Sequence, residues 1–185
     1  MEISVVHSDV TKIETDVLVV NLFKGVSSPG GATGAVDKAL FGLITDLISE
    51  GEVTGTLNEL TLIHTPSSAY ADFAPDRVLI AGLGSDDSFD TDAIRKVSAS
   101  VIRKLRAAGI KHASTIVHGA GIGGLDPRAA SQALVEGALL GANRFLKYRT
   151  TDKNRKPDLS KFTLVEADDR KITKIEEGIV RGQIY

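Results

Sequence analysis

The segment from Val17 to Leu40 constrains the fold of this chain more than any other. It begins with four consecutive apolar residues, passes through a turn that contains Gly30, Gly31 and Gly34, and continues as a helix-like pattern. An apolar run without alternation is typical of a strand buried on both faces. A strand, a glycine-rich turn and a helix in this order present backbone N–H groups and a helix N-terminus to an anion. The segment therefore predicts half of an anion-binding pocket.

A second segment, from Thr115 to Leu134, has the same order of strand, glycine turn and helix. Its residues Gly119, Gly121 and Gly124 match the G-x-G-x-x-G turn of dinucleotide-binding domains. That site also needs an acidic residue about 20 residues later, at the end of the next strand. Here this distance falls inside the predicted helix, at Glu136 to Leu140. We therefore favour turn-forming glycines over a dinucleotide site.

Strand and helix patterns alternate along the whole chain. We predict strands at 3–6, 17–20, 58–64, 77–81, 113–117 and 162–165, and helices at 34–49, 91–108, 127–141 and 171–185. The alternation predicts an α/β protein with a mostly parallel or mixed central sheet flanked by helices. Small residues such as Gly137 and Gly141 predict that the third helix lies close against the sheet. The last apolar stripe has no terminating glycine or proline after Tyr185, so we expect a longer protein.

The composition excludes several classes of protein. The length of 185 residues suits one domain, and the net charge of −2 does not indicate a nucleic-acid-binding protein. The chain has no cysteine, which excludes disulfides and thiolate zinc sites. No apolar run approaches the roughly 20 residues of a membrane span, and Met1 begins a strand-like pattern rather than a signal peptide. We expect a cytoplasmic protein that does not contact a membrane.

The residues that could carry chemistry do not form a recognisable catalytic or metal site. Four histidines are present, His7, His64, His112 and His118, and none is paired at the i and i+4 spacing of helical zinc motifs. We favour hydrogen-bonded or half-exposed histidines over a metal site. The acidic cluster that begins at Asp86 lacks the glycine and glutamate of a calcium loop, and no G-x-S-x-G nucleophile motif occurs. We predict no catalytic residue and no metal ligand.

A basic run extends from Arg144 to Lys156 and contains one acidic residue, Asp152. Lysine and arginine in such a run bind phosphates in nucleic-acid-binding proteins. A solvated loop is the interpretation that we favour, because a charge run usually lies on a solvated face. Nucleic acid is therefore not an expected partner.

Four segments resemble the macro domain family. They are His7–Thr11 with Asp16–Asn21, the first glycine loop Gly30–Val36, the strand Leu62–Thr65, and the second glycine loop Gly119–Gly124. Macro domains bind ADP-ribose, and the resemblance implies a nucleotide ligand held by both loops. The ligand-binding positions that it implies are Asp9, Asn21, Gly30, Gly31, Thr33, Gly34, Gly119, Gly121, Ile122 and Gly124.

The chain departs from the macro pattern at two positions. Macro enzymes that cleave ADP-ribose carry a second asparagine three residues after the first, and Lys24 occupies that position here. The aromatic residue that commonly follows isoleucine in the second loop is Gly123. Both departures argue against ADP-ribose hydrolysis, and the second removes a stacking surface for a ligand.

The chain also resembles, over almost its whole length, the N-terminal domain of leucine aminopeptidases, the cytosol aminopeptidase family. The resemblance lies in the segments 55–57, 77–84, 91–96, 136–141, 145–150 and 176–183. It implies a three-layer, macro-like α/β domain over residues 1–170, with 171–185 as the start of a linker helix to a catalytic domain. The family's catalytic domain removes N-terminal amino acids from peptides with two divalent metals, zinc or manganese, and none of its ligands is in this chain.

Two functions follow from these resemblances. The first is a non-catalytic domain that serves assembly or regulation of an aminopeptidase, with its own C-terminal catalytic domain and a homo-hexamer as partners. The second is a stand-alone module that binds ADP-ribose or a related nucleotide.

Overall fold

Strands and helices alternate in the computed structural model, which describes residues 1–120, 124–143 and 156–184. The strands are β1 (Glu2–His7), β2 (Val17–Phe23), β3 (Leu60–His64), β4 (Arg77–Gly84), β5 (His112–Ile116) and β6 (Lys161–Glu166). The helices are α1 (Gly31–Ala39), α2 (Leu43–Ser49), α3 (Thr91–Ala108), α4 (Pro127–Ala142) and α5 (Asp169–Gln183). The predicted α/β class is confirmed.

The six strands form one mixed sheet in the order β1-β6-β5-β2-β4-β3. All neighbours are parallel except β3, which runs antiparallel to β4. Within β2, Val19 lies opposite Leu79 of β4 and Thr115 of β5. The carboxyl ends of β1, β6, β5, β2 and β4 therefore lie at one edge of the sheet, where open α/β sheets bind ligands.

Helices cover both faces of the sheet, which confirms the predicted three-layer fold. Val17 and Val19 of β2 point into a core shared with α3, α4 and α5, whereas Leu18 and Val20 point into a core shared with α1 and α2. All four side chains are fully buried, at 0% exposure. The unbroken apolar run of β2 follows from this double burial, as the sequence predicted.

The last helix belongs to the same packed unit. Asp168 caps its N-terminus by accepting a hydrogen bond from the N–H of Arg170, so α5 begins two residues before the predicted start. Ile175 and Ile179 are buried in the core that α3 and α4 also share. The predicted division between a domain that ends at 170 and a linker helix stays a prediction.

The single helix predicted for 34–49 is wrong, because the chain forms two helices there. Phe41 and Gly42 both have left-handed backbone conformations, with φ of 57° and 89°, and these end α1 and redirect the chain. Asp37 then accepts hydrogen bonds from the N–H groups of Ile44 (2.7 Å) and Thr45 (3.1 Å), so a side chain of α1 caps α2. The apolar residues keep a helical spacing on both sides of this break, so the sequence pattern did not reveal it.

The fourth strand is longer than predicted, since it continues through Gly82 to Gly84 rather than ending at Ala81. The loop between α2 and β3 supplies its partners: the N–H of Gly82 donates to the carbonyl of Glu59, and that of Gly84 donates to the carbonyl of Gly55, each at 2.9 Å. A Cβ at position 82 would overlap the backbone of Thr56. The glycine therefore permits a close approach of this loop instead of ending the strand.

Candidate ligand-binding cleft

A cleft of about 670 Å³ lies at the carboxyl edge of the sheet. Its walls come from the end of β1, from β2, from the first glycine turn, from the start of the second turn, and from the segment that joins β6 to α5. The parallel strand order brings these five segments together although they lie far apart in sequence. The volume falls in the range of sites for small molecules and cofactors.

Six of the ten predicted ligand-binding residues line this cleft. They are Asp9, Asn21, Gly30, Gly31, Thr33 and Gly119. Gly34 and Gly124 do not line it, whereas Gly121 and Ile122 lie outside the described residues. At Gly34, a Cβ would lie 2.5 Å from the carbonyl oxygen of Pro29, which gives this glycine a packing role in the turn.

Asp9 places an ionised carboxylate at the exposed mouth of the cleft. Its Oδ1 accepts hydrogen bonds from the backbone N–H and the side-chain hydroxyl of Thr11, each at 2.8 Å. The bonds from Thr11, first from its N–H and then from its hydroxyl, lower the pKa of Asp9, with a smaller contribution from the charge of Lys12. The carboxylate therefore offers the cleft a hydrogen-bond acceptor at neutral pH.

The glycine turn is anchored to β2 by Thr33. The buried hydroxyl of Thr33 donates to the backbone carbonyl of Asn21 at 2.8 Å. Gly30 stands at the N-cap of α1 and has no side chain to cap the helix. The first-turn N–H groups of α1, beside Gly31, thus lie at the cleft wall without the capping side chain that most helices carry.

The side chain of Asn21 contacts His118, the second residue after β5. The two side chains approach with 3.1 Å between Nδ2 of Asn21 and Nδ1 of His118. His118 is 1% exposed, and its burial lowers its pKa to about 4, so the ring is neutral at pH 7. The sequence predicted hydrogen-bonded or half-exposed histidines, and His118 is buried and forms this hydrogen bond.

The sequence interpretation missed the wall formed by β1 and β6. His7, Glu166 and Lys171 line the cleft there. Nε2 of His7 bonds to the carbonyl of Ala167 at 2.9 Å, and Nζ of Lys171 lies 3.8 Å from Oε2 of Glu166. The two strands pair in parallel although about 160 residues separate them, and no local pattern in the sequence indicates that pairing.

An aromatic pair lies beside the second glycine turn. Phe23, which lines the cleft, meets Phe89 edge-to-face with 5.0 Å between ring centroids. A Cβ at Gly119 would lie 2.6 Å from Cε1 of Phe89, and Gly119 has a φ of 81°. The second turn therefore needs glycine at position 119 both for its backbone conformation and for the ring beside it.

Among residues 1–120, 124–143 and 156–184, no group of three or more His, Cys, Asp or Glu side chains could hold a metal ion. In the same part of the chain, no helix is both long enough and apolar enough to cross a membrane.

A sheet between two helical layers, with a cleft bounded by two glycine turns, defines an α/β domain of the macro type. Solved structures share this fold. A Trypanosoma brucei macrodomain, solved in complex with ADP-ribose, matches with a TM-score of 0.70 at 16% identity, over 95% of this chain and 68% of that chain. A mutant of tomato leucine aminopeptidase matches with a TM-score of 0.74 at 17% identity, over 99% of this chain and 35% of that one.

Sequence comparison identifies the family within that class. The family model described as cytosol aminopeptidase family, N-terminal domain, matches residues 19–152. A probable cytosol aminopeptidase of Alkaliphilus oremlandii is 28% identical over 185 residues, which cover 98% of this chain and 36% of that protein. The chain belongs to the cytosol aminopeptidase family and corresponds to its N-terminal domain. It spans about a third of the length of the curated relatives that it matches.

Proposed function

We propose that this chain is a non-catalytic N-terminal domain that serves the assembly or regulation of a metal-dependent aminopeptidase. The match of residues 19–152 to the N-terminal domain of the family carries this proposal. The described residues also provide no cluster of metal ligands, whereas a two-metal peptidase needs one. Two divalent metals, zinc or manganese, belong in this proposal to a C-terminal catalytic domain, which is the first partner of the chain. The cytoplasm is the proposed location.

An activity assay tests the non-catalytic part of the proposal. The purified chain, supplied with manganese or zinc, is incubated with leucine p-nitroanilide, and release of p-nitroaniline is followed by absorbance. We expect release at the rate of the metal-only blank. Hydrolysis at the rate of an enzyme would contradict a non-catalytic domain.

The oligomeric state separates the two proposed roles. Sedimentation velocity of the chain over a wide range of concentrations shows whether it forms a discrete assembly. A defined oligomer at micromolar concentration favours assembly, and a homo-hexamer is the form that we propose for the enzyme. A monomer throughout the range favours regulation of the catalytic domain.

The cleft supports a second candidate function, the binding of ADP-ribose or a related nucleotide. The carboxylate of Asp9 accepts hydrogen bonds from N–H groups. The turn at Gly30 and Gly31 offers backbone N–H groups that donate to an anion. A nucleotide carries both chemical groups, an amino-bearing base and phosphates. Nucleotide binding is compatible with a role in an aminopeptidase, since a nucleotide in the cleft of this domain would be one means of regulating the enzyme.

Calorimetry with ADP-ribose tests this candidate. We expect micromolar affinity that falls at least about tenfold in Ala35→Glu, because a carboxylate at the cleft wall repels phosphate. Ala35→Gln is the matched control, since it has nearly the same size without the charge. The absence of heat at millimolar ADP-ribose would remove the nucleotide function while leaving the aminopeptidase role untouched.

A further inference from the structure

The buried ring of His118 lies against Asn21, which lines the cleft. The side-chain amide of Asn21 carries both a hydrogen-bond donor and an acceptor. We infer that His118 is a positioning residue, which holds the amide of Asn21 so that its oxygen Oδ1 faces the cleft and receives a hydroxyl group of the ligand. This inference rests on the proposed nucleotide function and deepens it. It assigns sugar hydroxyls to Asn21 and phosphates to the glycine turn.

The direction of the hydrogen bond follows from the chemistry of the two groups. An amide nitrogen only donates, and it lies 3.1 Å from Nδ1 of His118. Nδ1 therefore accepts, and the proton of the neutral ring is on Nε2. With Nδ2 of Asn21 engaged in this way, the other atom of the amide, Oδ1, is left for the cleft.

Two further contacts hold Asn21 in place. Its backbone carbonyl accepts a hydrogen bond from the hydroxyl of Thr33 at 2.8 Å. Its backbone is paired in the sheet with Ala81 of β4. The residue is thereby fixed through its backbone on one side and through its amide on the other. With the ring proton on Nε2, rotation of the amide would exchange Nδ2 for Oδ1 beside Nδ1, and two acceptors would then face each other at a buried site.

An acceptor at this position selects the part of the ligand that binds there. The amide oxygen carries partial negative charge and repels phosphate oxygens, but it accepts a hydrogen bond from a hydroxyl group. The backbone N–H groups beside Gly31 have the opposite preference and bind phosphate. The cleft thus separates donors for phosphate from an acceptor for the sugar.

The tautomer of His118 can be measured without any ligand. Long-range ¹H–¹⁵N spectra of the chain labelled on its histidine rings, recorded at pH 7, distinguish a protonated Nε2 from a protonated Nδ1. We expect His118 to carry its proton on Nε2. A proton on Nδ1 would overturn the inference, because Asn21 would then present its nitrogen to the cleft.

Two substitutions test the positioning itself. His118→Gln keeps an amide oxygen that can accept from Asn21, whereas His118→Leu removes the acceptor at similar volume. Calorimetry is performed with ADP-ribose and with ADP, which lacks the second sugar. We expect the preference of the wild type for ADP-ribose over ADP to shrink about tenfold in His118→Leu and to persist in His118→Gln.

The outcomes are distinguishable. General damage to the fold would weaken both ligands equally, so an unchanged preference in His118→Leu would overturn the inference, as would an equal loss in the two variants. If the wild type binds neither ligand, the nucleotide function fails. The assignment of sugar hydroxyls to Asn21 then fails with it, whereas the tautomer alone decides whether His118 orients the amide.

Discussion

Gly141 of α4 lies directly on the backbone of Ala99 in α3, where a Cβ at position 141 would be 2.5 Å from the carbonyl oxygen of Ala99. Gly137, one turn earlier, meets the backbone of Arg95 in the same way. The sequence predicted that these small residues face the sheet, and this is wrong, because they face the neighbouring helix. The parallel strands place α3 and α4 side by side, and glycine at these positions lets the two helices touch along their backbones.

This contact predicts the effect of Gly141→Ala on stability. In an exposed helix, alanine would stabilise by up to about 1 kcal/mol relative to glycine. Here the added methyl group overlaps a backbone carbonyl, which cannot rotate away as a side chain can. Since overpacking typically costs about 1–3 kcal/mol, we expect a net loss of about 1–2 kcal/mol in the free energy of unfolding, measured with urea.

The neighbouring position supplies the control for that measurement. Leu140 is 68% exposed on the same helix, and Leu140→Ala should change the free energy of unfolding by no more than about 0.5 kcal/mol. Stabilisation by Gly141→Ala would show that α3 and α4 do not pack at this distance.

A second prediction concerns the break between α1 and α2. The carboxylate of Asp37 accepts hydrogen bonds from two backbone N–H groups and a third from the hydroxyl of Thr45 at 2.6 Å. Asp37→Ala removes all three bonds, and loss of a helix cap costs about 1–2 kcal/mol. Urea unfolding measures this loss. Asp46→Ala, at an exposed position in α2, should have a much smaller effect, and equal effects would contradict the capping role of Asp37.

A third prediction compares two glycines that bound the second turn. Gly119 and Gly124 both have positive φ, of 81° and 64°. A Cβ at 119 would lie 2.6 Å from the ring of Phe89 and 3.1 Å from the side chain of Leu125, whereas a Cβ at 124 has no described atom within 4 Å. Alanine at either position has the same backbone strain, of order 1 kcal/mol. We therefore expect Gly119→Ala to be more destabilising than Gly124→Ala in thermal unfolding. The difference should become smaller when Phe89 is replaced by alanine in both variants, because the closest contact of the added methyl group is then removed.

The sequence predicted those parts of the fold that depend on local patterns. The double burial of β2 appears as four apolar residues in a row. The predicted helix 91–108 has the bounds of α3, which Asp90 caps at its N-terminus and Gly109 ends in a left-handed conformation. Six of the positions that the macro resemblance implies line one cleft, because parallel strands bring their carboxyl ends to one edge of the sheet. That they bind a ligand stays a prediction.

The remaining parts depend on contacts that no local pattern records. Lys171 and Glu166 reach the cleft because β1 pairs with β6, and many orders of strands are compatible with the same alternation. The hydrogen bond between Asn21 and His118 joins residues 97 positions apart. The register of β2 against β5 brings these two side chains together. No local pattern shows this register, so the sequence assigned no role to His118 or to the other three histidines.

The last prediction concerns the dependence of stability on pH. His118 has a pKa of about 4 in the folded chain and an ordinary value near 6.5 when unfolded. Between these two values the unfolded chain binds one more proton than the folded chain, so the free energy of unfolding falls as the pH decreases. The loss should reach about 3 kcal/mol at pH 4 relative to pH 7, at about 1.4 kcal/mol for each pH unit.

Urea unfolding from pH 7 to pH 4 measures this loss, and the contribution of His118 is the difference between wild type and His118→Gln. The lowered pKa of Asp9 also reduces stability on acidification, but only once the pH approaches the ordinary range of aspartate near 4, and it contributes equally to both proteins. If His118→Gln has the same profile as wild type, His118 is not a buried neutral ring, and its bond to Asn21 has a different proton arrangement.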